Sequence, residues 1–237
     1  MTAGPSETGP RWAFEPAPRP AVAVAGAATR FPVHRIYCVG QNYRAHAQEM
    51  GESGREPPFF FAKPADAVHA DPVVPWPSMT RDLHHEVELV VALAGGGRDL
   101  STGQALDRVF GYAVGVDLTR RDLQAAAKAK GRPWTTAKGF DHAAPLGPLR
   151  PVDAGGHPLD AAIRLAVNGD LRQQGRTSDM TWSVAEIIAE LSRYFELMPG
   201  DLVFTGTPPG VGPLQPGDRV ECEIDCVGRL QFTMGPR

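Results

Sequence analysis

Cysteine is scarce in this sequence, and its few cysteines suit neither a disulfide framework nor a metal cluster. Cys38, Cys222 and Cys226 are odd in number and form no C-x-x-C pair. Cys222 and Cys226 would share one face of a strand, but a soft metal would need two further ligands that the sequence does not offer nearby. We therefore interpret the three cysteines as core thiols.

The sequence also lacks the marks of a nucleic-acid-binding, membrane-spanning or secreted protein. Its 24 basic and 27 acidic residues give a formal charge of -3, without any run of Lys or Arg. It has no apolar stretch long enough for a bilayer and no secretion signal. No Gly-Lys-Ser/Thr follows Gly95-Gly96-Gly97, which argues against a phosphate-binding loop. We expect a soluble cytoplasmic protein that acts on small molecules, with no nucleic-acid or membrane partner.

Proline and glycine divide the chain into an N-terminal arm and one larger domain. Residues 1–30 are rich in Pro, Gly and Ala, whereas residues 31–237 are long enough for a single domain with a sizeable core. Predicted short strands outnumber helices, and regular βαβ alternation is missing. We expect an α+β, β-rich fold, a mixed β-sandwich or roll with a few short helices.

Capping residues and apolar periods predict the individual elements. Ser183 and Glu186 form a capping box that opens a helix with an apolar stripe. Thr119, with Asp122 in the capping-box position, predicts another helix that runs to Gly131. Further predictions are a helix over 42–51, an Asn-Gly hairpin over 163–172 and an irregular segment over 133–141. Residues 201–212 are predicted to form a strand followed by a glycine- and proline-rich loop. The other predicted strands cover residues 35–40, 59–63, 82–93, 109–116, 219–224 and 228–233.

Two acids lie in an otherwise apolar, β-branched run. The period of a strand turns Glu86 and Glu88 to one face, together with His84. Neighbouring carboxylates repel each other unless a cation lies between them, so a divalent metal site is one interpretation and a water-facing strand end is the other. Asp117 offers a third oxygen at a strand-to-helix junction. An all-carboxylate set favours a hard ion, Mg²⁺ or Mn²⁺.

A histidine and an acid suggest proton transfer. His46 and Glu49 are three residues apart and share a face of the predicted helix. Such a pair can act as a general base with its orienting carboxylate, or can be an ordinary solvated surface contact. Lys63 and Lys138, viewed alone, would be surface lysines.

Taken together, these motifs resemble those of the fumarylacetoacetate hydrolase superfamily, and most of all its bacterial fumarylpyruvate hydrolases and acylpyruvases. The resemblance covers residues 31–237 and rests on six motifs in the same order. The motifs are Val39-Gly40-Gln41-Asn42-Tyr43-x-x-His46-x-x-Glu49, Phe61-Ala62-Lys63-Pro64, His85-Glu86-Val87-Glu88-Leu89, Gly115-Val116-Asp117-Leu118-Thr119-x-Arg121-Asp122, Ala137-Lys138-Gly139-Phe140-Asp141 and Thr205-Gly206-Thr207-Pro208-Pro209-Gly210-Val211-Gly212.

The resemblance implies a mixed β-roll, a homodimer, and a Mg²⁺ or Mn²⁺ site. By motif position, it implies these roles: Glu86, Glu88 and Asp117 as metal ligands, His46 and Glu49 as the water-activating dyad, Lys138 as the residue that polarises the attacked carbonyl, and Gln124, Arg121, Lys63 and Thr207 as substrate-binding residues. Gln41 departs from the Arg or Lys of relatives, and so removes a positive charge.

The implied reaction is metal-dependent hydrolysis of a carbon–carbon bond in a 2,4-diketo acid. Fumarylpyruvate, cleaved to fumarate and pyruvate as in the gentisate branch of aromatic catabolism, is the first expectation. Alternatives on the same site are hydrolysis of other acylpyruvates, decarboxylation of oxaloacetate, and isomerisation or hydration of unsaturated keto acids. A non-catalytic β-sandwich that binds a metal is a rival of another class.

Overall fold

The computed structural model describes residues 12–43 and 56–237, which form a β-rich body with short helices, as expected. The strands are β1 (Ala21–Ala23), β2 (Arg30–Pro32), β3 (Ile36–Gly40), β4 (Phe59–Lys63), β5 (Val68–His69), β6 (Val73–Val74), β7 (Leu83–His85), β8 (Val87–Leu93), β9 (Val109–Val116), β10 (Thr119–Arg120), β11 (Ala144–Pro145), β12 (Arg150–Pro151), β13 (Ala162–Val167), β14 (Asp170–Arg176), β15 (Leu202–Phe204), β16 (Gly212–Pro213), β17 (Arg219–Ile224) and β18 (Gly228–Met234). The α-helices are α1 (Thr102–Ala105), α2 (Arg121–Ala129), α3 (Thr135–Lys138) and α4 (Val184–Tyr194).

Two large sheets enclose the core. A six-stranded sheet has the order β12-β9-β8-β15-β3-β4, with β15 and β3 parallel and the other neighbours antiparallel. A five-stranded sheet has the order β14-β13-β17-β18-β6, and its β13 and β18 pack against β8 and β9. Strand β8 is buried along its whole length, which explains its β-branched composition.

Gly115 lies at the centre of the six-stranded sheet, where there is no room for a side chain. It lies opposite Glu88 in the pairing of β8 with β9. A Cβ atom at this position would lie 2.6 Å from a methyl group of Val90 and 2.8 Å from the ring of Phe204. A side chain there would push Phe204 away from β8.

The predicted strand over 82–93 is interrupted at Glu86. Strand β8 stays in the six-stranded sheet, whereas β7 turns into a separate three-stranded sheet of order β10-β7-β16. The chain must bend between two sheets, so a single straight strand is the wrong description. The amide of Asp117 donates to the carbonyl of Glu86 over 2.8 Å, and so holds this bend against the end of β9.

The predicted start of α2 is also wrong. Thr119 belongs to β10 instead of capping a helix, and its hydroxyl donates to the Glu86 carboxylate over 3.1 Å. Arg120 is the N-cap, without a side-chain capping bond. Asp122 accepts a hydrogen bond from the hydroxyl of Thr80 over 2.7 Å. Tertiary partners therefore take the groups that a local capping box would use.

Other predictions are confirmed or corrected at individual elements. Asn168 and Gly169, both with positive φ, join β13 to β14 as the predicted hairpin, and Ser183 caps α4 through the predicted capping box. Residues 135–138 form the short helix α3 in the segment predicted to be irregular. Cys226 is exposed, so only Cys38 and Cys222 are core thiols.

The predicted arm contributes to the core near its end. Strand β1 pairs with β2, and Val22 and Val24 are buried among core residues. The division at residue 30 remains a prediction. Most of the predicted helix over 42–51 lies outside the described residues. Within the described parts of the chain, we find no helix with the length and apolar character needed to span a membrane.

Candidate active site

Three carboxylates lie close together at the start of β8 and the end of β9. Glu86 lies in the bend before β8, Glu88 lies in β8, and Asp117 follows β9 directly. One carboxylate oxygen from each lies within 4.8 Å of the others, and all three residues are buried. The structure thus brings together the three residues that were predicted to hold a metal.

Lys138 lies against two of these acids. Its Nζ donates to Asp117 Oδ2 over 2.7 Å and to Glu86 Oε2 over 3.0 Å. Burial disfavours the charged ammonium, but the nearby carboxylates of Asp117 and Glu86 outweigh burial, so the pKa of Lys138 is raised. The side chain is only 3 % exposed, which rules out the surface lysine that the residue alone suggested.

Lys63 is buried next to Asp117 but does not line the cleft. Its Nζ lies 2.7 Å from Asp117 Oδ1 and donates to the carbonyls of Leu118 and Lys138. Its side chain is fully buried. Lys63 therefore holds Asp117 and the end of α3, and its role in substrate binding remains a prediction.

Arg121 and Gln124 project from the first turn of α2. The Arg121 guanidinium donates to Glu86 Oε1 over 2.5 Å and to Gln124 Oε1 over 2.6 Å. Because its carbonyl oxygen already accepts from Arg121, the group that Gln124 can offer to a ligand is its amide N–H donor. Both residues line the cleft above the carboxylates, and their roles in substrate binding stay predictions.

The loop after β15 holds Glu88. The amide of Gly206 donates to Glu88 Oε2 over 2.7 Å. Gly206 has a φ of 96°, and a Cβ atom there would lie 2.7 Å from that of Asn42, so only glycine fits without displacement. Burial, with the nearby carboxylates of Asp117 and Glu86, raises the pKa of Glu88 well above its usual value.

Gln173 was missed by the sequence analysis. It lies fully buried in β14, and its Oε1 accepts hydrogen bonds from the amide of Val87 over 3.0 Å and from His85 Nδ1 over 2.9 Å. Its Nε2 donates to Thr207 Oγ1 over 2.7 Å, and the Thr207 hydroxyl donates to the carbonyl of Val87 over 2.8 Å. Since β14 is otherwise largely exposed, nothing in the local sequence marks this glutamine.

The donor set fits a hard divalent cation. It consists of carboxylates alone, as Mg²⁺ and Mn²⁺ prefer. Asp117 Oδ1 is buried and accepts no well-aligned hydrogen bond within the described residues, although Lys63 lies at ion-pair distance. A carboxylate oxygen has more than one lone pair, so Oδ1 can be a metal ligand while the Lys63 ammonium stays beside it.

A cleft opens above the carboxylates, and its empty space of about 410 Å³ includes adjoining open solvent. Thr207 lines it together with Lys138 and Arg121, and the role of Thr207 in substrate binding stays a prediction. Further along, its wall is formed by Phe59, Phe61, Trp134 and Lys128, and by the segment from Val39 to Gln41. The cleft is therefore charged at its base and partly aromatic toward its rim.

His46 and Glu49 lie outside the described residues, so their roles stay predictions. His84 is not part of the carboxylate cluster: its Nε2 lies 2.8 Å from Asp82 Oδ1, and Arg121 Nε donates to its Nδ1 over 3.4 Å.

Comparisons with known proteins agree on the family of this chain. The chain is similar to a crystal structure of fumarylpyruvate hydrolase from Pseudomonas aeruginosa in complex with Mn²⁺ and pyruvate, with 48% identity, a TM-score of 0.94, and coverage of 96% of this chain and 100% of that one. It is 42% identical to the oxaloacetate tautomerase YcgM of Escherichia coli, over 84% of this chain and 92% of that protein.

The mitochondrial oxaloacetate tautomerase FAHD1 of Mus musculus is also 42% identical, over 84% of this chain and 90% of that protein. A family model described as Fumarylacetoacetate (FAA) hydrolase C-terminal matches residues 35–234. With the fold and the buried carboxylate cluster, this match shows that the chain belongs to the fumarylacetoacetate hydrolase family.

Proposed function

We propose that this protein hydrolyses a carbon–carbon bond in a 2,4-diketo acid, with fumarylpyruvate as the preferred substrate and Mg²⁺ or Mn²⁺ as the cofactor. The observation that carries the proposal is the buried cluster of Glu86, Glu88 and Asp117 with Lys138 bonded to two of its members. The similarity to the Pseudomonas aeruginosa fumarylpyruvate hydrolase supports the choice of substrate.

Charge at the base of the cleft suits a keto acid. Three cationic side chains, Lys63, Lys138 and Arg121, lie within 3.0 Å of the three-carboxylate cluster. A bound divalent cation supplies additional positive charge, which attracts the keto-acid end and stabilises negative charge that develops on its oxygens. An anionic substrate is therefore favoured over a neutral one.

The chain's residues have distinct roles in the proposed reaction. Water adds to the distal carbonyl carbon, and the Lys138 ammonium donates to the resulting oxyanion. The bond to the adjacent methylene carbon then breaks, and its electron pair leaves with the pyruvate fragment as an enolate, which becomes pyruvate by taking up the proton that was removed from water. Arg121 and the Gln124 amide orient the substrate. His46, oriented by Glu49, is the proposed base that takes a proton from water.

Interconversion of the keto and enol forms of oxaloacetate is the second candidate. The similarity to the tautomerases of Escherichia coli and Mus musculus favours it. That reaction moves a proton between a carbon and an oxygen and consumes no water. It would use the same carboxylate cluster and Lys138 but would release no pyruvate.

A comparison of fumarylpyruvate, acetylpyruvate and oxaloacetate, each with Mg²⁺ or Mn²⁺ and with EDTA, tests the proposal. We expect loss of the diketo-acid absorbance with one pyruvate formed per substrate consumed, and we expect EDTA to abolish it. Glu88→Gln should abolish the reaction because it weakens the carboxylate cluster, whereas Glu221→Gln on β17 is the control. Turnover of oxaloacetate without cleavage of either diketo acid would overturn the first candidate and favour the second.

A further inference from the structure

One face of α2 extends from the carboxylate cluster to the rim of the cleft. Arg121, Gln124 and Lys128 are spaced so that they share this face, and all three line the cleft. Arg121 contacts Glu86 at one end. With a rise of 1.5 Å per residue, Lys128 lies about 10 Å further along the helix axis. The helix thus places the backbone of a second cationic residue at a fixed axial distance from the first.

An aromatic wall connects two ammonium groups of the cleft. Lys138 Nζ lies 5.1 Å from the ring centroid of Phe61, and Phe61 lies 5.8 Å from Trp134. Lys128 Nζ lies 5.2 Å from the ring of Trp134, so this ring positions the ammonium at the rim. Phe59 packs edge-on against the same indole at 5.5 Å. A ligand along this wall meets a cation, then apolar rings, then a second cation.

We propose that Lys128 binds a second, distal carboxylate of the substrate, so that the enzyme selects long unsaturated diacids. This inference rests on the proposed hydrolysis of a 2,4-diketo acid. The aromatic rings face the unsaturated middle of the substrate, while the keto-acid end lies at the carboxylate cluster. Gln41 also lines the cleft but carries no charge, whereas Lys128 supplies a positive charge from α2.

The distance between the two carboxylates of the substrate distinguishes between candidate diacids. An extended chain advances about 3.5 Å over three bonds, so the terminal carboxyl carbons of fumarylpyruvate are about 7 Å apart. A hydrogen bond of about 3 Å to the ammonium brings this reach to about 10 Å, the same order as the axial separation between the backbones of Arg121 and Lys128 on α2. The carboxyl carbons of oxaloacetate are only about 3.5 Å apart, so oxaloacetate bound at the cluster would extend half as far toward Lys128.

The test compares fumarylpyruvate with crotonylpyruvate, in which a methyl group replaces the distal carboxylate. The quantity measured is the ratio of kcat/KM for the two substrates in the wild-type enzyme and in Lys128→Met, Lys128→Arg and Lys130→Met variants. Lys130 follows α2 and is exposed, but it does not line the cleft, so its variant is the matched control. Circular dichroism melting verifies that each variant is folded.

We expect Lys128→Met to lower this ratio about 10-fold, mainly through a higher KM for fumarylpyruvate, because one charge-assisted hydrogen bond is lost. Lys128→Arg should restore most of the ratio, and Lys130→Met should leave it unchanged. Higher ionic strength should reduce the wild-type ratio but not that of Lys128→Met.

If the ratio of kcat/KM values is unchanged in folded Lys128→Met, the inference is wrong, but the proposed function is not affected. Lys128 is then a surface lysine packed on Trp134. An equal loss on both substrates also overturns it, because the residue would then support the site without recognising the distal carboxylate. If the wild-type enzyme cleaves neither substrate, the proposed function fails, and the inference fails with it.

Discussion

Gln173 connects the two large sheets at the carboxylate cluster. With Thr207, it bonds both the amide and the carbonyl of Val87, the residue between the two glutamates. At this point β15 has ended, so side chains replace the backbone partners that a continuing strand would supply. We infer that Gln173 is a positioning residue for Glu86 and Glu88.

Replacing Gln173 with Met keeps its approximate volume but removes its hydrogen bonds. Buried donors at Val87 and His85 would then lose their acceptor, which should lower the free energy of unfolding by about 2–4 kcal/mol. We also expect weaker Mn²⁺ binding, measured by isothermal titration calorimetry. Gln174→Met, at the adjacent exposed position, is the control. Lower stability with unchanged Mn²⁺ affinity would show a purely structural role.

At the scale of elements, the end of β14 is tied to the segment that precedes β13. Asp160 Oδ1 accepts from Arg176 Nε and from the Ser178 hydroxyl, each over 2.6 Å. These hydrogen bonds, from Arg176 and then from Ser178, lower the pKa of Asp160 to about 2. The carboxylate is therefore more easily ionised in the folded chain than in the unfolded one.

This shift predicts how the stability of the hairpin region depends on pH. A lowered folded-state pKa stabilises the fold above the unfolded value, and this contribution is lost as the pH falls through the folded value. The stability difference between wild type and Asp160→Asn should thus be constant above about pH 5 and shrink toward about pH 2. Urea unfolding across this range measures it, with Asp170→Asn as the control. A difference that does not change with pH would contradict the assignment.

At the scale of the whole molecule, the carboxylate cluster joins segments that are distant in sequence. Glu86 and Glu88 belong to the β7–β8 region, Asp117 follows β9, and Lys138 belongs to α3. A cation that binds all three carboxylates would bind only the folded chain. Its binding free energy would therefore add to the stability of the fold.

We accordingly expect Mn²⁺ at about 100 times its dissociation constant to raise the free energy of unfolding by about 2.7 kcal/mol. Thermal melting with and without Mn²⁺ measures the effect, and EDTA should reverse it. Asp117→Asn should lose most of the shift, whereas Glu221→Gln, at a partly exposed position on β17, should retain it. An equal shift in Asp117→Asn would place the bound ion elsewhere.

The homodimer implied by the resemblance remains a separate prediction for sedimentation analysis.

Local sequence patterns correctly predicted the elements whose conformation depends on residues close together in the chain. The Asn168-Gly169 turn, the Ser183 capping box and the apolar run of β8 each depend on residues adjacent in the chain. Thr119 and Asp122 matched a capping box equally well, but their side chains bond to Glu86 and Thr80 instead. A pattern cannot show which of two available partners a side chain takes.

The sequence by itself determined the β-rich character of the chain, the family motifs, and which acids and lysine are candidates for its site. Only the tertiary structure decided that Lys138 bonds two carboxylates, that Lys63 supports Asp117 from behind, and that Gln173 holds Val87. The physical reason is that these contacts join separate sheets and helices. Their distances depend on how those elements pack, which no local periodicity encodes.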